Sequence, residues 1–209
     1  MDYATVTDGS KGTYDINMDP GVLSDIRKRE QRAAADVLGV KELFFLDYSD
    51  GELYPTLELR GKLTEIIRKE KPSIVMTLDA WLPYEPHPDH RVVGLLASEA
   101  TVFAGMPNFY KEQIFSGIAP HKPDKILLFA TGSPNLFIDI TRFIGKKVEA
   151  IIKHESQLSL SFSETLRKGG LEKVRTELEK SLRKRNRKGD RYMETIKMFK
   201  VGAGHFIRE

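Results

Sequence analysis

The chain has 209 residues, a formal net charge of +3, ordinary apolar and aromatic content, and no cysteine. The missing cysteine excludes disulfides, thiolate metal sites and cysteine nucleophiles, and it fits a cytoplasmic protein. No apolar run approaches the ~20 residues of a membrane span, Met1-Asp2-Tyr3 has no secretory signal character, and so small a net charge gives no ground for a nucleic-acid partner.

A chain of this length suits one sizeable core, so a single domain over 1–209 is expected, with a core at 3–158 and a charged helical extension at 159–209. Tyr3-Ala4-Thr5-Val6-Thr7 is strand-like and leads into the turn-rich Asp8-Gly9-Ser10-Lys11-Gly12-Thr13. Asp19-Pro20 is a helix start, a capping carboxylate followed by proline at the first helical position. Val22, Leu23, Ile26, Ala33, Ala34, Val37 and Leu38 keep helical spacing until Gly39. Leu43-Phe44-Phe45-Leu46 is a short buried strand closed by Asp47-Tyr48-Ser49-Asp50-Gly51. Pro55 opens a second helix with Leu59, Leu63, Ile66 and Ile67 inward, stopping before Pro72. Ile74-Val75-Met76-Thr77-Leu78 reads as a strand, and a third helix is expected from Arg91 to Phe103. After a connection at 104–124, strands at 126–129 and 136–140 precede a helix capped by Thr141, with Phe143, Ile144, Val148, Ile151 and Ile152 on one face. Residues 164–200 are highly charged, with a narrow stripe of Leu171, Val174, Leu178 and Leu182. The alternation of apolar strands and helices predicts an α/β fold, a Rossmann-like, mostly parallel sheet with helices on both faces.

The chemistry concentrates in Trp81-Leu82-Pro83-Tyr84-Glu85-Pro86-His87-Pro88-Asp89-His90. Its prolines stiffen the backbone, and a loop at the carboxyl end of a parallel strand is where such sheets place their ligands. Imidazole is a common metal ligand and carries protons near neutral pH. A His-x-x-His pair is equally a pair of solvated or hydrogen-bonded side chains. A catalytic zinc takes three protein ligands and a water, so this loop alone does not complete one.

The ordered set Thr7-Asp8-Gly9, Ile26-Arg27-Lys28-Arg29-Glu30 with Ala33-Ala34 and Leu38-Gly39-Val40, Phe45-Leu46, Asp50-Gly51-Glu52-Leu53, Asp79-Ala80-Trp81, His87-Pro88-Asp89-His90-Arg91-Val92-Val93-Gly94 and His154-Glu155-Ser156-Gln157 resembles the PIG-L/LmbE family of zinc-dependent N-deacetylases, in its diacetylchitobiose deacetylase-like branch. The resemblance implies hydrolysis of the N-acetyl group of an N-acetylglucosamine-type sugar. It implies His90 as a zinc ligand, His87 as the group that polarises the carbonyl and supports the oxyanion, and Arg27 and Asp79 as sugar contacts. Read alone, Arg27 is a solvated helix charge, and the substrate role comes from the resemblance; Asp79 reads as a ligand contact or as a cap or brace for the loop. Asp8 and Asp50 read as structural turn residues, Asp89 as a histidine partner or a loop anchor, and Trp81 and Tyr84 as sugar platforms or wall packing. His154 reads as a packing and hydrogen-bonding residue.

The family's amino-terminal Ala-His-Pro-Asp-Asp-Glu segment, source of two further zinc ligands and the general base, has no counterpart in these 209 residues. The expectation is therefore a truncated deacetylase, or a non-catalytic binding or scaffold protein of the same fold. With the first central strand missing, the strands at 3–7 and 74–78 would each lose a neighbour. Such edges lower stability and favour pairing with another chain, a homo-oligomer included. The basic run 183–188 lacks interleaved aromatics and reads as a solvated helix end, not a nucleic-acid site.

Overall fold

A computed structural model describes residues 1–207. Its contacts divide the chain into two compact units, Met1–Gly51 with Asp139–Glu194, and Glu52–Ile138 with the residues from Thr195 onward.

In the first unit, β1 (Asp2–Thr7) pairs in parallel with β2 (Glu42–Tyr48), in the register Tyr3 to Leu43 and Thr5 to Phe45. Between them runs α1 (Pro20–Leu38). The Asp19 carboxylate accepts from Val22 N at 2.9 Å, and Gly39 closes the helix in the left-handed region at φ 75°. Both ends are as the sequence predicts, because capping chemistry is local. A 3₁₀ turn at Thr141–Phe143 leads into α5 (Ile144–Ile152) and then α6 (Glu155–Asn186). The helix α6 is interrupted at Phe162 and at Gly170, whose φ of 64° and ψ of −169° suit only glycine. Ile144, Val148 and Ile152 of α5 bury against Leu158, Val174, Leu178 and Leu182 of α6, so the predicted apolar stripe is this unit's core seam. Two details differ from expectation. Thr141 Oγ1 accepts from Tyr192 N at 3.0 Å instead of capping a helix, and Phe143 is exposed because it precedes the helix. The charged helix also ends at Asn186, where β6 (Arg187–Lys188) turns into β7 (Arg191–Val201).

In the second unit, α2 (Leu57–Glu70) starts from the Thr56 cap, two residues after Pro55, and buries Leu59, Leu63 and Ile67. Next come β3 (Ile74–Leu78) and α3 (Pro88–Phe103). The helix begins three residues earlier than predicted, because Pro88 occupies the first helical position, where its missing N–H costs nothing. Gly94 lets α3 lie directly on β3: a Cβ there would stand 2.6 Å from the Leu78 carbonyl. The 104–124 connection contains the short α4 (Lys111–Phe115). Arg68, fully buried, holds that connection by donating to the carbonyls of Phe103, Ala104, Met106, Phe109 and Tyr110 and to Gln113 Oε1. The strand β4 (Lys125–Phe129) pairs in parallel with β3 and antiparallel with β7, which also pairs with β8 (Phe206–Ile207). The sheet order is β3-β4-β7-β5, with β5 at Leu136–Asp139. Among the described residues, β1 has one strand partner, β2, and β3 has one, β4.

Candidate active site

The β3–α3 segment in the second unit is tied to the end of β4 by one main-chain bond and shaped by local hydrogen bonds. Asp79 N donates to Phe129 O at 3.0 Å, Asp79 Oδ1 accepts from Trp81 N at 3.0 Å, and Asp79 O accepts from Leu82 N at 3.1 Å. Tyr84, fully exposed with a positive φ of 65°, reverses the chain. The reversal brings Glu85 back over the histidines: its Oε1 accepts from His87 N at 3.0 Å and lies 3.3 Å from His90 Nδ1. These contacts hold the Glu85 carboxyl below the usual carboxylate range, the His87 amide contributing most and the His90 ring next.

His87 is the residue preceding α3, and its ring stacks on that of His90 with centroids 4.4 Å apart. The His87 Nδ1 is buried and has no protein partner. Leaving such an atom unmet costs about 1–3 kcal/mol, so an external group or water is favoured there. The His90 side chain is 46% exposed. Asp89 is 3% exposed, and its Oδ1 accepts from Leu53 N at 3.2 Å, so it anchors the start of α3 to the segment that leads into α2.

For a metal ion, His90 suits a ligand. A ligating imidazole typically has a carboxylate on its other nitrogen to fix tautomer and orientation, and Glu85 stands in that place, leaving Nε2 for a cation. One imidazole is one of the three protein ligands a catalytic zinc takes. Sequence reasoning missed Glu85, because its role depends on the turn at Tyr84.

Two cavities flank the residues expected to touch substrate, one in each unit. In the second unit a cavity of about 690 Å³ is lined by Asp79, Trp81, Ser133, Lys197, Phe199 and Phe206, among others. In the first unit one of about 250 Å³ is lined by Asp8, Arg27, Gln31, His154 and Gln157, among others. Arg27 is heavily engaged. It donates to Gly9 O, and to Gly12 O at 2.6 Å, and the Gln157 amide oxygen, turned toward it, lies 2.6–3.0 Å from its three guanidinium nitrogens. Gly9 and Gly12 make this possible, since a Cβ on either would sit 2.7 Å from the Arg27 side chain. Burial lowers the Arg27 pKa, while Asp50, Glu30 and Asp8 oppose the shift. Asp8 Oδ1 accepts from Ser10 N and Asp50 N at 3.0 and 3.2 Å, the turn role its sequence context implies. Burial works against the Asp8 carboxylate, but these bonds and Lys11 together lower its pKa.

Arg27 and Glu30 share a face of α1, three residues apart. Glu30 accepts from Ser156 N and Ser156 Oγ, both at 2.7 Å, and so fixes the start of α6. His154, half-buried just before α6, has its pKa lowered by burial, with Arg27 adding to the shift and Glu30 opposing it. The basic run is held locally: Arg183 pairs with Glu179 at 2.6 Å and lies over the Tyr192 ring. Among the described residues, no helix is long and apolar enough to cross a membrane.

These features define a Rossmann-like α/β protein whose histidines sit at the carboxyl end of a parallel strand. The family model described as PIG-L, GlcNAc-PI de-N-acetylase, matches residues 1–101. Diacetylchitobiose deacetylase of Thermococcus kodakarensis is 43% identical over 155 residues, 74% of this chain and 58% of that protein. A probable N-acetyl-alpha-D-glucosaminyl L-malate deacetylase 2 of Bacillus anthracis is 30% identical over 146 residues, 68% of this chain and 60% of that protein. The solved structure of N,N'-diacetylchitobiose deacetylase from Pyrococcus horikoshii, complexed with its inhibitor MPG, superposes with a TM-score of 0.81 at 36% identity, covering 97% of this chain and 73% of that one. The chain belongs to the PIG-L family of de-N-acetylases. It spans about three fifths of the length of these two curated relatives.

Proposed function

We propose that the protein takes part in hydrolysing the N-acetyl group of an N-acetylglucosamine-type sugar. The observation that carries this is the likeness to the Pyrococcus horikoshii deacetylase, 36% identical across 97% of this chain. His87 polarises the amide carbonyl and steadies the tetrahedral oxyanion, a role its unpartnered, buried Nδ1 supports. His90, held by Glu85, is a ligand for zinc, which when bound polarises the carbonyl and lowers the pKa of water. Asp79 keeps one carboxylate oxygen on the Trp81 amide and turns the other to sugar hydroxyls in the larger cavity. Arg27 is the substrate-binding residue of the smaller cavity. The cysteine-free composition is compatible with a reducing, cytoplasmic setting.

A second reading, a sugar-binding protein without turnover, is favoured by the single metal ligand, His90, that the histidine loop supplies. Zinc-loaded chain incubated with N,N'-diacetylchitobiose separates the two. Acetate release that falls by about 10²–10³ in His87→Ala supports hydrolysis. Saturable binding without acetate supports the second reading, and neither response refutes both.

A further inference from the structure

The strand β3 is the edge of its sheet: β4 pairs with one side, and among the described residues no strand meets the other. Ser73 O accepts from Lys125 N and Asp79 N donates to Phe129 O, so the odd-numbered residues of this stretch turn their main-chain groups to β4. By alternation, the N–H and C=O groups of Ile74, Met76 and Leu78 point away from the sheet. The side chains of these residues share one face, and that face is bare at the edge. Ile74 is 47% and Met76 53% exposed, whereas Thr77, on the opposite face, is buried. Edge strands usually carry a charge, a proline or a bulge against unwanted pairing. Ile74-Val75-Met76-Thr77-Leu78 has none of these, and its ladder with β4 runs without a shift. The other parallel strand with a single partner, β1, begins with Asp2, shifts register between Thr5 and Thr7, and exposes no large apolar side chain.

We infer that β3 is a docking edge for a second copy of this chain, the two strands pairing antiparallel about a two-fold axis at Met76. The strand is complementary to itself in that register. Met76 faces Met76, and Ile74 faces Leu78 of the second copy, so each residue with outward main-chain groups meets another and exchanges both hydrogen bonds with it. The same pairing sets Ile74, Met76 and Leu78 of both copies in one apolar row and covers the side chains that β3 leaves exposed. Neighbouring registers fit less well. An axis at Val75 sets Leu78 against Pro72, which has no N–H to donate, and one at Thr77 sets Ile74 against Ala80, in the turn beyond the strand. Charge agrees: Lys71, exposed just before the strand, lies at the end where Asp79 of the second copy leaves its own strand. Such a contact uses the same edge on both copies and closes with two. The pairing does not depend on the proposed hydrolysis.

One strand pair buries less than a standard interface, so association is expected at about 10–100 μM. Sedimentation of the 209-residue chain across about 1–300 μM should therefore show the mass double. Met76→Lys, checked for folding by circular dichroism, sets two like charges on the axis and should raise that midpoint about tenfold or more. The cysteine-free sequence makes the register testable as well. Cα atoms across a hydrogen-bonded antiparallel pair stand about 5.5 Å apart, a disulfide distance. Met76→Cys should therefore crosslink to itself under diamide. Ile74→Cys, whose two copies stand more than about 13 Å apart in this register, should do so at least about tenfold more slowly. The cysteine variants keep the test valid if Met76→Lys misfolds. A chain that stays single over the whole range, growth beyond two copies, or unchanged association in folded Met76→Lys would overturn the pairing. So would equal crosslinking of the two cysteine variants, or a different polypeptide held in place of the second copy.

Discussion

Arg27 is expected to brace its loop as well as to meet substrate, and Arg27→Met separates the two roles. The substitution keeps the apolar stem and removes every donor. It leaves Gly9 O, Gly12 O and the Gln157 amide without the group that now ties the β1–α1 loop to α6. Net contributions of hydrogen bonds to a charged group run about 1.5–3 kcal/mol each. They do not add here, because the loop borders solvent, water can replace a partner, and relief of the guanidinium's burial works in the opposite direction. The side chain is only 12% exposed, so the compensation is incomplete and a net loss of about 2–4 kcal/mol follows. Arg27→Lys should recover less than half of it, since one ammonium does not span both carbonyls and the amide. Urea unfolding followed by circular dichroism gives the total. Two compact units need not unfold in one step, so amide exchange at residues 8–13 and 154–158 localises the loss. A midpoint within about 0.5 kcal/mol of the parent and unchanged exchange, together with lost sugar binding, would show that Arg27 serves the ligand and not the loop.

His154 titrates below its ordinary value of about 6.5 because it is buried. The unfolded chain therefore takes up the proton first as pH falls. Stability is fully present above about pH 6.5 and is lost as pH drops toward the lower folded pKa. Urea midpoints measured from about pH 7.5 down to about pH 5 should fall, and His154→Gln should flatten the slope; an equally steep slope in the variant would remove His154 as the cause. Arg68→Met strips six acceptors of a fully buried donor and should cost about 3–5 kcal/mol. The loss should appear as faster amide exchange across 103–113, and a cost under about 1 kcal/mol would show the connection to be held by packing instead.

What the sequence reveals here follows the range over which each determinant acts. The start and stop of α1 are legible because Asp19, Pro20 and Gly39 act on their own backbone. The paired histidines are legible because the prolines, the preceding strand and both imidazoles fall within a few residues. Glu85 is not, since its reach to His90 needs the left-handed turn at Tyr84. Pro88 reads as loop in a proline-rich segment, yet it opens a helix, because proline suits a first turn as well as a bend.

The carboxyl-terminal part shows the longest-range determinant. Arg191-Tyr192-Met193-Glu194-Thr195-Ile196-Lys197-Met198-Phe199-Lys200-Val201 carries charges at a density that suits a solvated helix, and the preceding α6 invites its continuation. It becomes a strand because Gly189 turns the chain back at φ 62° and β4 supplies an antiparallel partner, Leu128 opposite Lys197 and Ile126 opposite Phe199. Over Lys197–Lys200, main-chain pairing with the buried β4 outweighs local propensity. That pairing also carries Lys197 and Phe199 to the cavity that Asp79 and Trp81 border. The histidine loop is readable as a motif, whereas the aromatic wall of the cavity exists only once the two strands have met, so that wall is a property of the fold and not of any short stretch of residues.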